Sequence, residues 1–197
     1  MKASPHRAAP CGAQPPGSSM NAIPPFAHLC EPAASLEDGH GRTVRYIRLS
    51  VTDRCNLRCR YCFAEGGTYG QQAVRLTPEQ GRRIIRILAQ QGIHKISKIA
   101  FLGGEPSTLP DTMEAICDEC ARLVACGRMQ ETPEFFIITN CISISQKCME
   151  VLHRYRIHVT ISIDGPAEIN DQLRVFPNGY KTHDLVLRNI QKLRAHG

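Results

Sequence analysis

A parallel α/β fold is predicted by three observations. β-branched or aromatic runs alternate with helix-like segments four times from Val44 onward, the helix-like segments carry their own start and stop signals, and the strand-like runs end in glycine-bearing or polar turns. The first strand is expected over Val44 to Val51. The helix after it opens with Thr77-Pro78-Glu79-Gln80, where Thr77 can cap, Pro78 takes the first helical position and Gln80 can close a capping box; it should end near Gly92. Ile96 to Leu102 follows as the second strand. The second helix carries Met113, Ile116, Cys117, Cys120 and Val124 at three- and four-residue spacing and stops at Gly127. Glu134 to Thr139 is the third strand. The third helix starts at Ser143 with Gln146 three residues on, and its apolar face is Ile144, Cys148, Val151, Leu152 and Tyr155. Ile157 to Ile163 is the fourth strand, and the last helix runs from about Thr182, burying Val186, Leu187, Ile190 and Leu193.

Ahead of this pattern, residues 1–43 are rich in Pro, Ala, Gly and Ser, with Pro15-Pro16-Gly17-Ser18-Ser19 and Pro24-Pro25, and cannot bury enough apolar surface to offset ordering entropy. A disordered leader is expected there, with Met20 as an alternative start, and one domain over residues 44–197. The segment Ala64 to Leu76 lacks periodicity and holds Gly66-Gly67 and Gly70, so it is expected to wrap whatever the neighbouring cysteines bind.

Composition narrows the function. The chain of 197 residues has ordinary hydrophobic and charged fractions, no Trp and few aromatics, which leaves little for a single-stranded nucleic-acid stacking platform. A net charge of +6 is spread along the chain, as with Arg82, Arg83 and Arg86 on one helix and Arg154 and Arg156 near another, and reads as solvated helix faces. No signal-peptide core and no run near the roughly 20 apolar residues of a membrane span is present, so a cytoplasmic protein is expected. In that compartment the 10 cysteines read as thiols or metal ligands rather than a disulfide framework.

The chemistry-bearing run is Cys55-Asn56-Leu57-Arg58-Cys59-Arg60-Tyr61-Cys62, which follows the first strand directly. Thiolates are soft ligands suited to iron–sulfur clusters, and electron-transfer clusters are closed by four cysteines. Here the local fourth is missing, which leaves one cluster position open. Zinc is the competing metal, but C-x3-C spacing fits structural zinc ribbons poorly. Cys117 and Cys120 fall on the apolar stripe of the second helix and read as core, as does Cys148; Cys11 and Cys30 read as incidental. The histidines, among them His94, His153, His158 and His183, form no ligand-like cluster.

The C-x3-C-x2-C spacing with an aromatic before the last cysteine resembles the radical S-adenosylmethionine (SAM) superfamily. The resemblance implies that Cys55, Cys59 and Cys62 hold a 4Fe-4S cluster whose open iron is chelated by SAM, with Tyr61 beside the adenine; a plain core aromatic is the alternative for Tyr61. Gly103-Gly104-Glu105-Pro106, after the second strand, matches the family's segment for the SAM amino group, and glycines there would let a ligand approach the backbone. Thr139-Asn140-Cys141 stands where relatives carry Thr-Asn-Gly, so Cys141 is a departure that strains the turn if positive φ is required; a plain loop residue is the other reading. Ser162-Ile163-Asp164-Gly165-Pro166 with the later Arg174 resembles the peptide- and protein-modifying branch with SPASM domains, such as anaerobic sulfatase-maturating enzymes and ribosomal-peptide maturases. There Ser162 would contact the SAM ribose or carboxylate and Arg174 would pair with the carboxylate, while Asp164 organises the turn or binds ligand.

The fold so implied is a partial radical SAM (βα) barrel with four of an expected six βα units. The implied function is reductive cleavage of SAM to a 5′-deoxyadenosyl radical for modification of a peptide or protein. The partners are that substrate, an electron donor such as flavodoxin or ferredoxin, and a missing C-terminal half; neither nucleic acid nor membrane is expected. Two alternatives stand beside this. Tyr46-Ile47-Arg48-Leu49-Ser50-Val51-Thr52-Asp53-Arg54-Cys55 also resembles the molybdopterin-precursor cyclase branch. The chain could otherwise be a non-catalytic cluster- or SAM-binding remnant, or one subunit of a split enzyme.

Overall fold

The computed structural model describes residues 38–62, 74–91, 93 and 95–196. Most of the leader expected over 1–43, including Met20, and most of the loop expected over Ala64 to Leu76 lie outside the described residues, as do Gly92 and His94. Four strands, β1 (Tyr46–Thr52), β2 (Lys98–Gly103), β3 (Glu134–Thr139) and β4 (His158–Ile161), form one parallel sheet in the order β1-β2-β3-β4. Helices α1 (Pro78–Gln90), α2 (Pro110–Ala125), α3 (Gln146–Arg154), α4 (Ala167–Leu173) and α5 (His183–His196) complete the element order.

The period of two along each strand divides the sheet into unlike faces. Ile99, Phe101, Phe135 and Ile137 pack with Ile85, Met113, Ile116, Leu123 and Val151 of the helices in one buried cluster, and burying each such side chain is worth about 1.5–3 kcal/mol. On the opposite face of β1, Tyr46, Arg48 and Ser50 stay exposed. Among the described residues no element covers that face of β1, and it leads to the strands' carboxyl ends.

The helix signals hold where they rest on local chemistry. Thr77 Oγ1 accepts from Gln80 N at 3.2 Å while Gln80 Oε1 accepts from Thr77 N at 2.8 Å, the reciprocal box expected of that sequence. Gly127, at φ 67°, follows the end of α2 as predicted. Cys117 and Cys120 are both fully buried, as core cysteines should be.

Other expectations need correction. The cap of α3 is Ser145, whose Oγ accepts from Cys148 N at 3.1 Å. Ser143 is engaged elsewhere: its Oγ accepts from Asn56 Nδ2 and its carbonyl from Ser107 Oγ. Strand β4 is shorter than Ile157 to Ile163 because its register with β3 runs only from His158 to Ile161, against Phe136 to Thr139. Leu187 is 42% exposed rather than buried, since α5 turns Val186 and Asn189 inward instead. The short helix α4 lies where the sequence pattern predicts no helix.

Candidate active site: a cavity framed by three thiols

All four strands point their carboxyl ends at one cavity of about 450 Å³, reached by Cys55, Cys59 and Cys62 from the segment after β1. Such ends are where parallel α/β folds collect ligands. The seat of the cysteine segment is made by the two glycines after β2. A Cβ on Gly103, which has φ 132°, would stand 2.0 Å from the Thr52 carbonyl oxygen, and one on Gly104 would stand 2.2 Å from that of Arg54. Those carbonyls instead accept from Gly104 N at 2.7 Å and Glu105 N at 2.8 Å. The close approach that the glycines permit is therefore that of the cysteine segment's backbone, although both also line the cavity.

Glu105 is 1% exposed, and its carboxylate accepts from Thr139 Oγ1 at 2.7 Å, Asn140 N at 2.7 Å and Ser107 N at 3.1 Å. The side chain read as a contact for the SAM amino group thus ties the end of β2 to the end of β3. Pro106 begins a tight turn over Pro106–Thr108 and does not line the cavity. Thr139 and Asn140 do line it. Asn140 Nδ2 donates to Asn56 Oδ1 at 2.8 Å and reaches Cys55 Sγ at 3.6 Å, so β3 supports the first thiol directly.

Cys59 lies between two backbone bonds from its neighbours, Arg58 N to Val175 O at 2.7 Å and Arg60 N to Leu173 O at 2.9 Å. These clamp the cysteine segment to the chain leaving α4. Burial raises the Cys55 and Cys59 thiols; the Leu57 amide partly offsets this at Cys55, and the Arg174 guanidinium partly offsets it at Cys59.

Tyr61 is 54% exposed, so it is not a core aromatic. Its hydroxyl donates to Asp164 Oδ2 at 2.5 Å, and partial burial together with that bond pushes its pKa up to about 12. Burial by itself would raise the Asp164 carboxyl, but hydrogen bonds from Tyr61 and Arg174 outweigh it and hold the group below the usual carboxylate range. Arg174 NH2 donates to Asp164 Oδ1 at 3.1 Å, its Nε forms a 2.9 Å ion pair with Oδ2 without hydrogen-bond alignment, and its guanidinium carbon lies 5.4 Å from the centre of the Tyr61 ring. Ser162 and Arg174 both line the cavity.

Cys141 is fully buried with φ 59°, so the turn after β3 does take the left-handed conformation, and the residue is no plain loop position. It packs with Leu57, and the two partly buried thiols Cys55 and Cys59 border the same cluster. Burial pushes its own thiol up to about 11.

Sequence reasoning missed Arg48, Ser50, Asn56 and Asn170 as parts of this region. Arg48 and Ser50 line the cavity from β1, and only their alternation with Ile47 and Leu49 could have signalled it. The donor set fits an iron–sulfur cluster: three soft thiols frame a cavity with room for several atoms. Among the described residues no three His, Cys, Asp or Glu side chains are grouped closely enough to hold a single metal ion.

Residues 49–197 match the family described as Radical SAM superfamily. The chain belongs to the radical SAM superfamily. This membership assigns it to a class of enzymes, and carries the 4Fe-4S cluster and SAM as the family's cofactors.

The radical SAM chain is 31% identical over 183 residues to the GTP 3′,8-cyclase of Bradyrhizobium diazoefficiens, which covers 92% of this chain and 48% of that protein. It is 44% identical over 85 residues to the GTP 3′,8-cyclase of Marinobacter nauticus, covering 43% of this chain and 25% of that protein. Molybdenum cofactor biosynthesis protein 1 of Drosophila melanogaster is 30% identical over 148 residues, covering 75% of this chain and 24% of that protein. The chain thus spans less than half the length of these curated relatives.

Among solved structures, His6-tagged anSMEcpe with bound AdoMet superimposes at a TM-score of 0.63 and 20% identity, covering 78% of this chain and 40% of that one. Streptococcus suis SuiB bound to S-adenosylmethionine gives 0.57 and 18%, covering 78% and 32%. These likenesses show the fold, a partial radical SAM βα barrel. These sequence relatives are two GTP 3′,8-cyclases and a molybdenum cofactor biosynthesis protein, so the peptide-modifying branch expected from the fourth strand is not the branch they point to. Among the described residues no helix is long and apolar enough to cross a membrane.

Proposed function

We propose that this chain is the cofactor-holding part of a radical SAM enzyme acting on a purine nucleoside triphosphate, as a GTP 3′,8-cyclase does. The observation that carries the cofactor reading is the convergence of Cys55, Cys59, Cys62, Tyr61, Ser162 and Arg174 on one cavity at the sheet's carboxyl edge. In this reading the three thiols hold three irons of a 4Fe-4S cluster. The backbone around Gly103, Gly104 and Glu105 and the side chains of Thr139 and Asn140 wall the place of SAM, with Pro106 fixing the turn behind it. When bound, the reduced cluster supplies the electron that cleaves SAM to methionine and a 5′-deoxyadenosyl radical. This chain's residues orient the sulfonium cofactor, and the walls limit access of water.

The nucleotide reading is supported by the cyclase relatives and by Arg48. That guanidinium lines the cavity from the open face of β1 and has no hydrogen bond or ion pair among the described residues. A cation so placed suits an anionic substrate. A second reading, a peptide substrate, rests on Ser162-Ile163-Asp164-Gly165-Pro166 and Arg174, the run that resembles the peptide-modifying branch. An electron donor of the flavodoxin or ferredoxin kind, and further polypeptide to complete the barrel, belong to both readings.

Anaerobic reconstitution with iron and sulfide, followed by dithionite and SAM, tests the proposal. The expected result is 5′-deoxyadenosine whose yield rises with added GTP and does not rise with peptides ending in cysteine or serine motifs. Cluster binding without SAM cleavage would instead leave a non-catalytic remnant. Stimulation by peptide alone would select the second reading.

A further inference from the structure

We infer that Asp164 is a positioning residue that sets Arg174 and Tyr61 in the orientation needed to receive SAM, and that the buried Asn170 of α4 holds this pair in register. The inference rests on the SAM reading above and deepens it. It begins at Asn170, which is fully buried. Its Oδ1 accepts from Asp164 N at 3.3 Å, its carbonyl accepts from Arg174 N at 2.8 Å, and its Nδ2 donates to Thr182 Oγ1 at 3.0 Å. Thr182 Oγ1 in turn donates to the Arg174 carbonyl at 2.6 Å. One residue thus ties the backbone of both members of the ion pair, ten residues apart, through its side chain at Asp164 and through its main-chain carbonyl at Arg174.

Asp164 then uses both carboxylate oxygens on cavity groups, Oδ2 on the Tyr61 hydroxyl and Oδ1 on Arg174 NH2, with Nε of Arg174 beside Oδ2. Two guanidinium nitrogens face Asp164. The third, NH1, makes no hydrogen bond among the described residues, and the side chain lines the thiol cavity. A guanidinium anchored on one edge by a carboxylate presents its remaining edge in a fixed direction. Against the Tyr61 ring it also has a cation–π contact, which holds the plane. The arrangement is a preformed corner with one positive edge and one aromatic face, suited to a ligand carrying both a carboxylate and a purine.

The test uses the full chain, reconstituted anaerobically, with SAM binding measured by equilibrium dialysis and by the SAM-induced change in the reduced cluster's EPR signal. For Asp164→Asn the iron content and visible spectrum should match wild type, while SAM affinity falls about tenfold or more, the scale of losing a charge-assisted pair. The EPR change should need more SAM but reach the same line shape. Asp164→Glu should recover part of the affinity, which a merely structural role would not predict. Tyr61→Phe, on a half-exposed ring, keeps the aromatic face and removes only the bond to Asp164; affinity should fall roughly twofold to fivefold. Wild-type affinity in Asp164→Asn with an intact cluster would overturn the inference and leave the SAM reading standing. Loss of the cluster in Asp164→Asn together with unchanged affinity in Tyr61→Phe would also overturn it. Failure of the wild-type protein itself to bind SAM would sink the underlying reading.

Discussion

At the scale of single residues the chain contrasts two buried thiols, Cys141 beside the site and Cys148 in the main core, both fully inaccessible. Only Cys141 sits at positive φ, where a β-branched side chain clashes with its own backbone. Cys141→Val should therefore destabilise the chain by about 2 kcal/mol or more, whereas Cys148→Val, in regular helix, should cost less than about 1.5 kcal/mol. Chemical denaturation of the two variants side by side reads the difference, and equal costs would refute the strain argument. Asn140 makes a second prediction. Its amide reaches Cys55 Sγ and holds Asn56, the position of a group that orients a metal ligand rather than binding metal. Asn140→Ala should keep the fold and lose iron to a chelator about tenfold faster. An unchanged rate would confine Asn140 to the turn after β3.

Among the elements, the α1–α2 seam is where a charge is buried with purpose. The Glu119 side chain is 3% exposed and is held by Arg86 Nε at 3.0 Å and by Arg122 Nε at 3.1 Å, with NH2 of Arg122 closer still. Burial by itself would raise its carboxyl, but hydrogen bonds from Arg122 and Arg86 outweigh that and hold it below the usual carboxylate range. A carboxylate depressed on folding adds stability that is present above its ordinary pKa and is lost as pH falls through the depressed value. Wild type should thus lose stability on acidification by more than Glu119→Gln does, while at neutral pH the variant should be less stable by about 1–2 kcal/mol, the half-exposed arginines tempering the loss. Thermal melts across pH 3 to 7 supply the comparison; parallel profiles would show that the seam stands on apolar contacts alone.

Legibility followed the same scale. The capping box of α1, the Gly127 stop and the thiol run are local, so sequence spacing exposes them. Helix α4 has only 7 residues, too few for an apolar period to show, and its content is a set of polar bonds to Arg174, Asp164 and Thr182. Glu105 could be placed at the strand end but not assigned its partners, because Thr139 and Asn140 lie more than thirty positions away and are brought near only by the pairing of β2 with β3. Tyr61 and Asp164, separated by 103 positions and following the two outer strands, meet because the cysteine segment reaches across to the chain leaving α4. The exposed Leu187 shows the limit of periodicity as a guide to burial: a helix at the end of a sheet uses a narrower stripe than its apolar residues suggest.

For the whole molecule, the decisive feature is that the parallel sheet has ends. Among the described residues β4 is paired with β3 alone, so its other side presents unpaired backbone groups beside Val159 and Ile163, which are 37% and 36% exposed. On the open face Ile138 adds a further exposed apolar side chain next to the thiol cavity. An edge with exposed β-branched residues is a template for another strand, and the positive charge of the chain opposes association only weakly at physiological salt, where the Debye length is about 8 Å. The chain on its own should therefore associate as its concentration rises, seen as a growing sedimentation coefficient. Val159→Lys, which puts a charge on that strand at a residue that does not line the thiol cavity, should shift the distribution toward monomer while leaving iron content unchanged. A wild-type chain that sediments as monomer at every concentration would show that this edge is no template for association, and a lysine variant that associates as readily would place the contact on another surface.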